Sequence, residues 1–454
     1  MQSQKRLSVL RNMKIGLFHI GSSMADVLGS GIWNRVMIKD LGYAATPVGL
    51  LLALRYFLAP MAAWAGARSD QTNVRGYKRL PWVLGGRLAM IAGYMLVAFS
   101  TIELARHGSE WWIGIILGFV LASLGQNASG STFLALVYDR APADQRGRAV
   151  GIVWTFLLAG YAVSGVLFSR LFPEYTEGAF LTFFATVGVI MGGIWLFAVW
   201  GEEKPQAPDE ADEQPTNHTN TPHHKPNFAA DLRNTLDTPS ARMLAFFMLL
   251  SFAAAFMQDS ILEPFGGRVF DLSVGETTRF QAYWGTMAIV SSVGALWGYR
   301  RFARVGYKRL SGWGVWVMIA TFSALALTSF AQWEALLRPS LLLLGIGYGL
   351  WNIGTVGLMV DHSREGAAGL DLGIWTVIAT LCRGSGVLLG AVLYDVMDTI
   401  LAAETAAYGS IFMIEVVLLL AAIPFLNQIG QTEKTGVTTT PRQEQELVMS
   451  STLD

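Results

Sequence analysis

The residues best placed to do chemistry are acids and bases lying inside apolar stretches. Asp26 and Asp259 sit in the same phrase, once near the start of each half of the chain: Met24-x-Asp26 leads to Arg35-Val36, and Met257-x-Asp259 leads to Arg268-Val269, with eight residues between aspartate and arginine each time. Carboxylates inside lipid-spanning helices are costly and therefore usually functional. A matched pair in duplicated positions points to a transport-type scaffold with its working centre between two halves. The second copy adds Glu263, four residues after Asp259, so on a helix both acids share one face. They cannot both ionise cheaply there, so one should hold its proton or pair with an arginine. Arg55 and Arg383, equally deep in their segments, are the expected counter-charges, because an unpaired arginine at that depth is energetically implausible. Pro264 interrupts the helical hydrogen-bond ladder, and Gly266 and Gly267 add freedom, so a helix break is expected at Pro264, Gly266 and Gly267.

These residues need elements to hold them, and composition says which. Of 454 residues, 52% are hydrophobic and only 15% charged, with a mean hydropathy of +0.41. Soluble domains carry about 25% charged residues, so the chain reads as a polytopic membrane protein. Zero formal net charge gives no reason to expect nucleic-acid binding, and the single cysteine, Cys382, excludes an intrachain disulfide. Apolar windows of about 20 residues, enough to cross the hydrocarbon core, fall near 14–38, 44–66, 81–102, 111–137, 148–170 and 178–200. Six more fall near 241–265, 278–299, 310–330, 336–360, 369–395 and 406–427. The expected fold is all-α, twelve helices in two six-helix halves, 1–200 and 241–428, with kinks at Pro60 and Pro264.

Bases such as Arg68, Arg75, Lys78, Arg79 and Arg140 gather between alternate spans, and acids such as Glu103, Glu177, Asp271 and Asp395 gather in the other loops. That asymmetry predicts cytoplasmic termini. Residues 201–240, rich in Pro, Asn, Thr and acids, read as a flexible cytoplasmic linker, and 429–454 as a disordered tail. His218, His223 and His224 in the linker lack regular ligand spacing, so no metal site is expected. The duplication extends further: Asp139 and Gly151 are twelve apart, as are Asp361 and Gly373, and Ser164-Gly165-Val166 recurs as Ser385-Gly386-Val387. No nucleophilic triad or phosphate loop is present, and catalysis is not expected.

The loop after the second span, GARSDQTNVRGYKR, carries Gly66, Asp70, Arg75, Gly76, Lys78 and Arg79. It resembles the cytoplasmic signature of the major facilitator superfamily, G-x-x-x-D-R-x-G-R-R, with a longer stretch between Asp70 and Gly76. In that signature a carboxylate near helix ends bridges to bases and holds one transport conformation shut. Topogenic positive charge alone accounts for the bases equally well. A more specific resemblance lies at the seventh span, FMQDSILEPFGGRVFDLSVGETTRF. With NRVMIKDLG at 34–42, GYKRLP at 76–81 and GIGYGLWNIGT at 345–355, it looks like the PucC/LhaA family, the bacteriochlorophyll-delivery branch of that superfamily.

The resemblance implies a light-harvesting complex assembly factor that binds or delivers bacteriochlorophyll or chlorophyll and shepherds antenna or photosystem polypeptides. Its surroundings would be the lipid bilayer of a bacterial inner, intracytoplasmic or thylakoid membrane, with pigment-synthesis enzymes as further partners. Under it, Glu263 and the carbonyls freed at the break could ligate a pigment magnesium, bind a proton, or hold the break together. His19 is the other candidate ligand, although a lone helical histidine is more often a packed core residue. The alternative is a proton-coupled secondary transporter of a small solute, with Asp26, Asp259 or Glu263 carrying the proton. A third reading is a purely structural partner for antenna helices.

Overall fold

The computed structural model describes residues 8–142, 145–203, 205, 228–301, 306–364 and 368–430. Most of the expected linker and tail, with residues 218, 223 and 224, lies outside them. The first half comprises α1 (Val9–Val27), α2 (Ala45–Phe57), α3 (Pro60–Asp70), α4 (Leu80–His107), α5 (Trp112–Arg140), α6 (Arg146–Leu171) and α7 (Glu177–Val199). After a short α8 (Phe228–Thr235), the second half comprises α9 (Pro239–Met257), α10 (Leu262–Phe270), α11 (Val274–Arg301), α12 (Tyr307–Ala331), α13 (Leu337–Asp361), α14 (Ala368–Leu401) and α15 (Glu404–Gln428). Two π-helical segments, Leu28–Trp33 and Val36–Asp40, prolong α1; α2 and α3 form one span kinked before Pro60; α9 and α10 form another. Twelve helical runs of membrane length result, six per half. Ten are apolar enough by composition alone to qualify as spans. The α1 run, which carries Arg11, Lys14, His19 and Asp26, and α11, which carries Arg279 and Gln281, are not among those ten.

The break in the seventh span lies one turn earlier than expected. Gln258–Ser260 is a 3-10 turn, while Pro264, Gly266 and Gly267 all lie within α10. Proline acts on the residue four before it: lacking an N–H, Pro264 cannot bond the Ser260 carbonyl, and its ring crowds that carbonyl. Asn34 of the first half donates to the freed Ser260 oxygen at 3.0 Å. The glycines serve close approach instead of bending. A Cβ on Gly266 would lie 2.7 Å from the Phe280 ring, and one on Gly267 would lie 3.1 Å from Arg35 Nη2.

The halves are fastened to each other at the end of the bundle reached by the C-terminal turns of α1. The repeated arginines do this reciprocally. Arg35 Nη2 donates to the Leu272 carbonyl at 2.7 Å, and Arg268 Nη2 donates to the Ile38 carbonyl at 2.7 Å. Lys39 pairs with Asp271 at 2.8 Å, and Asp395 accepts from the backbone N–H groups of Ala45 and Thr46 at the start of α2. Contact continues to mid-bundle where α2 meets α14 and α6 meets α11. Towards the opposite, basic side, Trp154 on α6 and Trp297 on α11 become exposed.

On the basic side, one turn after α7 ties the first half together. Glu203 accepts from the N–H groups of Lys78, Arg79 and Leu80, capping α4. Glu202 gathers Arg11, Lys14 and Arg140. These residues and α8 fall within the stretch expected to be flexible from 201 to 240. The stretch is ordered at both ends, because Glu202 and Glu203 have partners and Thr235 of α8 bonds Asp371 at 2.8 Å.

Asn34 and Pro264 should be coupled in stability through the Ser260 carbonyl. Asn34→Leu orphans a buried carbonyl and should cost about 1–3 kcal/mol in a detergent-unfolding titration. Pro264→Ala restores an N–H donor to Ser260, so the Asn34→Leu cost should shrink in that background. Additive costs would contradict the coupling.

Candidate functional site

Halfway through the bundle, Asp26 meets donors from three other helices. Arg55 Nη1 approaches one carboxylate oxygen at 2.6 Å and Gln126 Nε2 approaches it at 3.2 Å, while Tyr161 donates its hydroxyl to the other at 2.8 Å. In the second half Arg383 Nη2 lies 3.3 Å from one Asp259 oxygen, and Gln258 Nε2 donates to the other at 2.6 Å. Each aspartate therefore pairs within its own half. The two pairs are joined through Tyr56. Its hydroxyl accepts from Arg55 Nη2 at 2.8 Å, and its ring lies 4.7 Å from the Arg55 guanidinium carbon and 5.0 Å from that of Arg383. Arg383 also sits 4.1 Å from the Phe256 ring. Guanidinium groups stack well on aromatic faces, and such contacts strengthen when desolvated. The result is a neutral chain, Asp26–Arg55–Tyr56–Arg383–Asp259, crossing from one half to the other.

Glu263 stands apart from this chain. The 3-10 turn that holds Asp259, ending before α10, removes the shared helical face expected from their spacing. Its buried carboxyl receives Gln281 Nε2 at 2.5 Å, and no arginine pairs with it among the described residues. It faces the π-helical segment of the first half, where a Cβ on Gly31 would lie 3.9 Å from Oε1.

His19 lies seven residues before Asp26, two helical turns away on the same face of α1 and towards the basic side. Nδ1 is 3.4 Å from Ser22 Oγ, while Nε2 is buried with no hydrogen-bond partner. Phe133 stands edge-on to the imidazole at 5.3 Å between ring centres, and half-exposed Trp154 lies alongside at 6.0 Å.

The Gly66 loop is built entirely within the first half. Asp70 pairs with Arg79, which also reaches Asp139 at 3.1 Å and Ser69 Oγ at 2.6 Å. Arg75 and Gly76 take positive φ, 54° and 85°, to close the turn, and Asn73 accepts from the Gly76 N–H at 2.9 Å. Lys78 contributes its backbone N–H to Glu203. The motif thus fastens α3, α4, α5 and the turn after α7, and among the described residues it makes no bridge to the second half.

Several members of the centre escaped the sequence reading. Tyr56, Gln126, Tyr161, Gln258 and Gln281 are ordinary polar residues in spans, and only their side-chain directions make them partners. Arg87 was visible as a charge inside the third span. It is buried and lies between the Phe18 and Trp195 rings, with its guanidinium carbon at 4.5 and 4.7 Å from their centres. Among the described residues no cluster of three His, Cys, Asp or Glu side chains could hold a metal ion.

A bundle of twelve membrane helices in two pseudo-equivalent halves, with polar groups converging between them, defines a major facilitator-type scaffold. Solved structures share it. A bacterial homolog of the human lysosomal transporter Spinster, inward-facing and unoccupied, superposes with a TM-score of 0.70 at 15% identity, covering 93% of this chain and 97% of that one. The nucleoside transporter NupG gives 0.62 at 13% identity, covering 91% and 99%. Within that scaffold class the chain belongs to the PUCC protein family, whose model matches residues 32–434. Protein PucC of Rhodovulum sulfidophilum is 28% identical over 402 residues, 86% of each chain. A Rhodobacter capsulatus protein named bacteriochlorophyll synthase 44.5 kDa chain is 27% identical over 428 residues, 92% of this chain and 94% of its own.

The ion pairs predict a non-additive series. Arg55→Gln leaves Asp26 buried without its cation and should cost about 3–5 kcal/mol, with Asp26→Asn/Arg55→Gln recovering much of it. Asp259 and Arg383 should behave alike. Glu263→Gln, beside a neutral amide, should stay within about 1 kcal/mol of wild type. Thermal unfolding in detergent measures all of these.

Proposed function

We propose that this multi-pass membrane protein is an assembly factor for light-harvesting complexes, carrying bacteriochlorophyll or chlorophyll as cargo and receiving antenna polypeptides. Membership of the PUCC protein family across residues 32–434 is the observation that carries this reading. The name of the Rhodobacter capsulatus relative supports pigment as the cargo class. Antenna or photosystem polypeptides and pigment-synthesis enzymes are the corresponding partners. The membrane is a bacterial inner, intracytoplasmic or thylakoid membrane with both termini in the cytoplasm, in keeping with the basic loops. The role is carriage and hand-over, without catalysis.

Between the two candidate ligands the geometry favours His19. Its Nε2 has no hydrogen-bond partner among the described residues, and half-exposed Trp154 lies alongside its ring, an aromatic face open to a flat macrocycle. Both side chains are buried, but Glu263 already accepts from Gln281, whereas His19 Nε2 is uncommitted.

The test is absorbance of the gently solubilised protein together with its copurifying polypeptides. Wild type should retain pigment or antenna subunits, and His19→Leu should lower pigment retention severalfold at unchanged melting temperature. A preparation free of both pigment and antenna polypeptides would overturn the proposal. The transporter fold supports a second reading, proton-coupled movement of a small solute with Glu263 as a buried carboxyl group that no cation pairs with among the described residues. Proteoliposomes should then show flux coupled to a proton gradient that Glu263→Gln abolishes.

A further inference from the structure

A groove of about 640 Å³ opens on the basic side between the first turns of α1, Phe156 of α6 and the end of α7. Leu10, Met13, Leu17, Phe156, Phe197 and Trp200 give it apolar walls. Leu10, Phe197 and Trp200 are well exposed. Its volume is that of a ligand site, for which about 300–1,000 Å³ is usual. One end of it is polar, formed by Arg11, Lys14 and Glu202.

The charge at that end is unbalanced. Glu202 is almost fully buried and contacts three bases: Arg11 at 3.2 Å, Lys14 at 3.1 Å, and Arg140. Among the described residues, three cations against one carboxylate leave two positive charges in excess. Lys14 is held at the groove by the Trp200 carbonyl at 2.5 Å and by the Phe197 ring at 5.6 Å. Arg11 uses Nε on Glu202 and is about half exposed, so its terminal nitrogens reach the groove mouth. Basic pockets between spans, at the depth of the interfacial aromatics, suit anionic head groups.

We propose that this groove is a binding site for one anionic phospholipid, its acyl chain along Met13, Phe156 and Phe197 and its phosphate against Arg11 and Lys14. The excess charge selects an anionic head group over a zwitterionic one, and the apolar walls require a chain behind it. The site is separate from the central polar chain and from His19. Lipid held there would brace α1 against α7, beside the turn through which Glu202 and Glu203 join the helix ends of the first half.

The test uses full-length protein, delipidated in detergent and examined by native mass spectrometry with phosphatidylglycerol or phosphatidylcholine of equal chain length. Wild type should retain one phosphatidylglycerol with about tenfold preference. Arg11→Gln, which leaves Lys14 and Arg140 on Glu202, should erase most of that preference. Met13→Asn, which makes the wall polar without adding charge beside Arg11 and Lys14, should weaken retention of either lipid severalfold. Inorganic phosphate in large excess should not displace the lipid. Equal retention of the two lipids, unchanged retention in both variants, or displacement by phosphate would each overturn the proposal.

Discussion

Everything in this protein depends on one constraint: polar groups inside the hydrocarbon layer must find partners inside the protein. Water supplies none there, so each buried charge or freed carbonyl dictates what its neighbours must be. Asp26 requires Arg55, and Asp259 requires Arg383. Because Tyr56 lies against both guanidinium groups, satisfying the charges of each half also joins the halves. The Ser260 carbonyl released by Pro264 follows the same rule, and its partner, Asn34, comes from the opposite half.

The duplication supplies the frame, and departures from it supply the specialisation. Arg35 and Arg268 still act as equivalents, each bonding a carbonyl of the other half. The segments preceding them do not. The first copy passes through π-helical turns, where Gly31 leaves room beside Glu263. The second passes through a 3-10 turn followed by a proline. π-bulges and tight turns of this kind often mark functional sites. Here they bring Glu263, Gln281 and Gly31 together in a closed layer between the central ion pairs and the fastened end. His19 lies on the other side of the ion pairs, beside half-exposed Trp154.

Much of this was legible in the sequence because charges in apolar stretches announce themselves. The six-plus-six division, the kink before Pro60, and the pairing of Asp26 and Asp259 with deep arginines all follow from hydropathy and energetic cost. The arrangement around Glu263 was not legible. Counting four residues from Asp259 presumes an unbroken helix, and Pro264 removes that premise by acting on Ser260. Gln281 becomes the partner only through the rotation of α11, which its amide does not advertise. Glu202 and Glu203 sit in a stretch whose acids and prolines read as solvated chain. Only the folded ends of α1, α4 and α5 give those two acids partners.

The central chain is the tie at mid-bundle that holds the two halves in register below the end fastened by Arg35 and Arg268. Electron-electron distance measurement between spin labels at Ser109 and Ala403, in a Cys382→Ala background, tests this most directly. Wild type should give a single narrow distribution. Tyr56→Leu, which removes the ring between Arg55 and Arg383 and leaves both ion pairs intact, should add a second population at longer distance. Superimposable distributions in the two proteins would contradict the account.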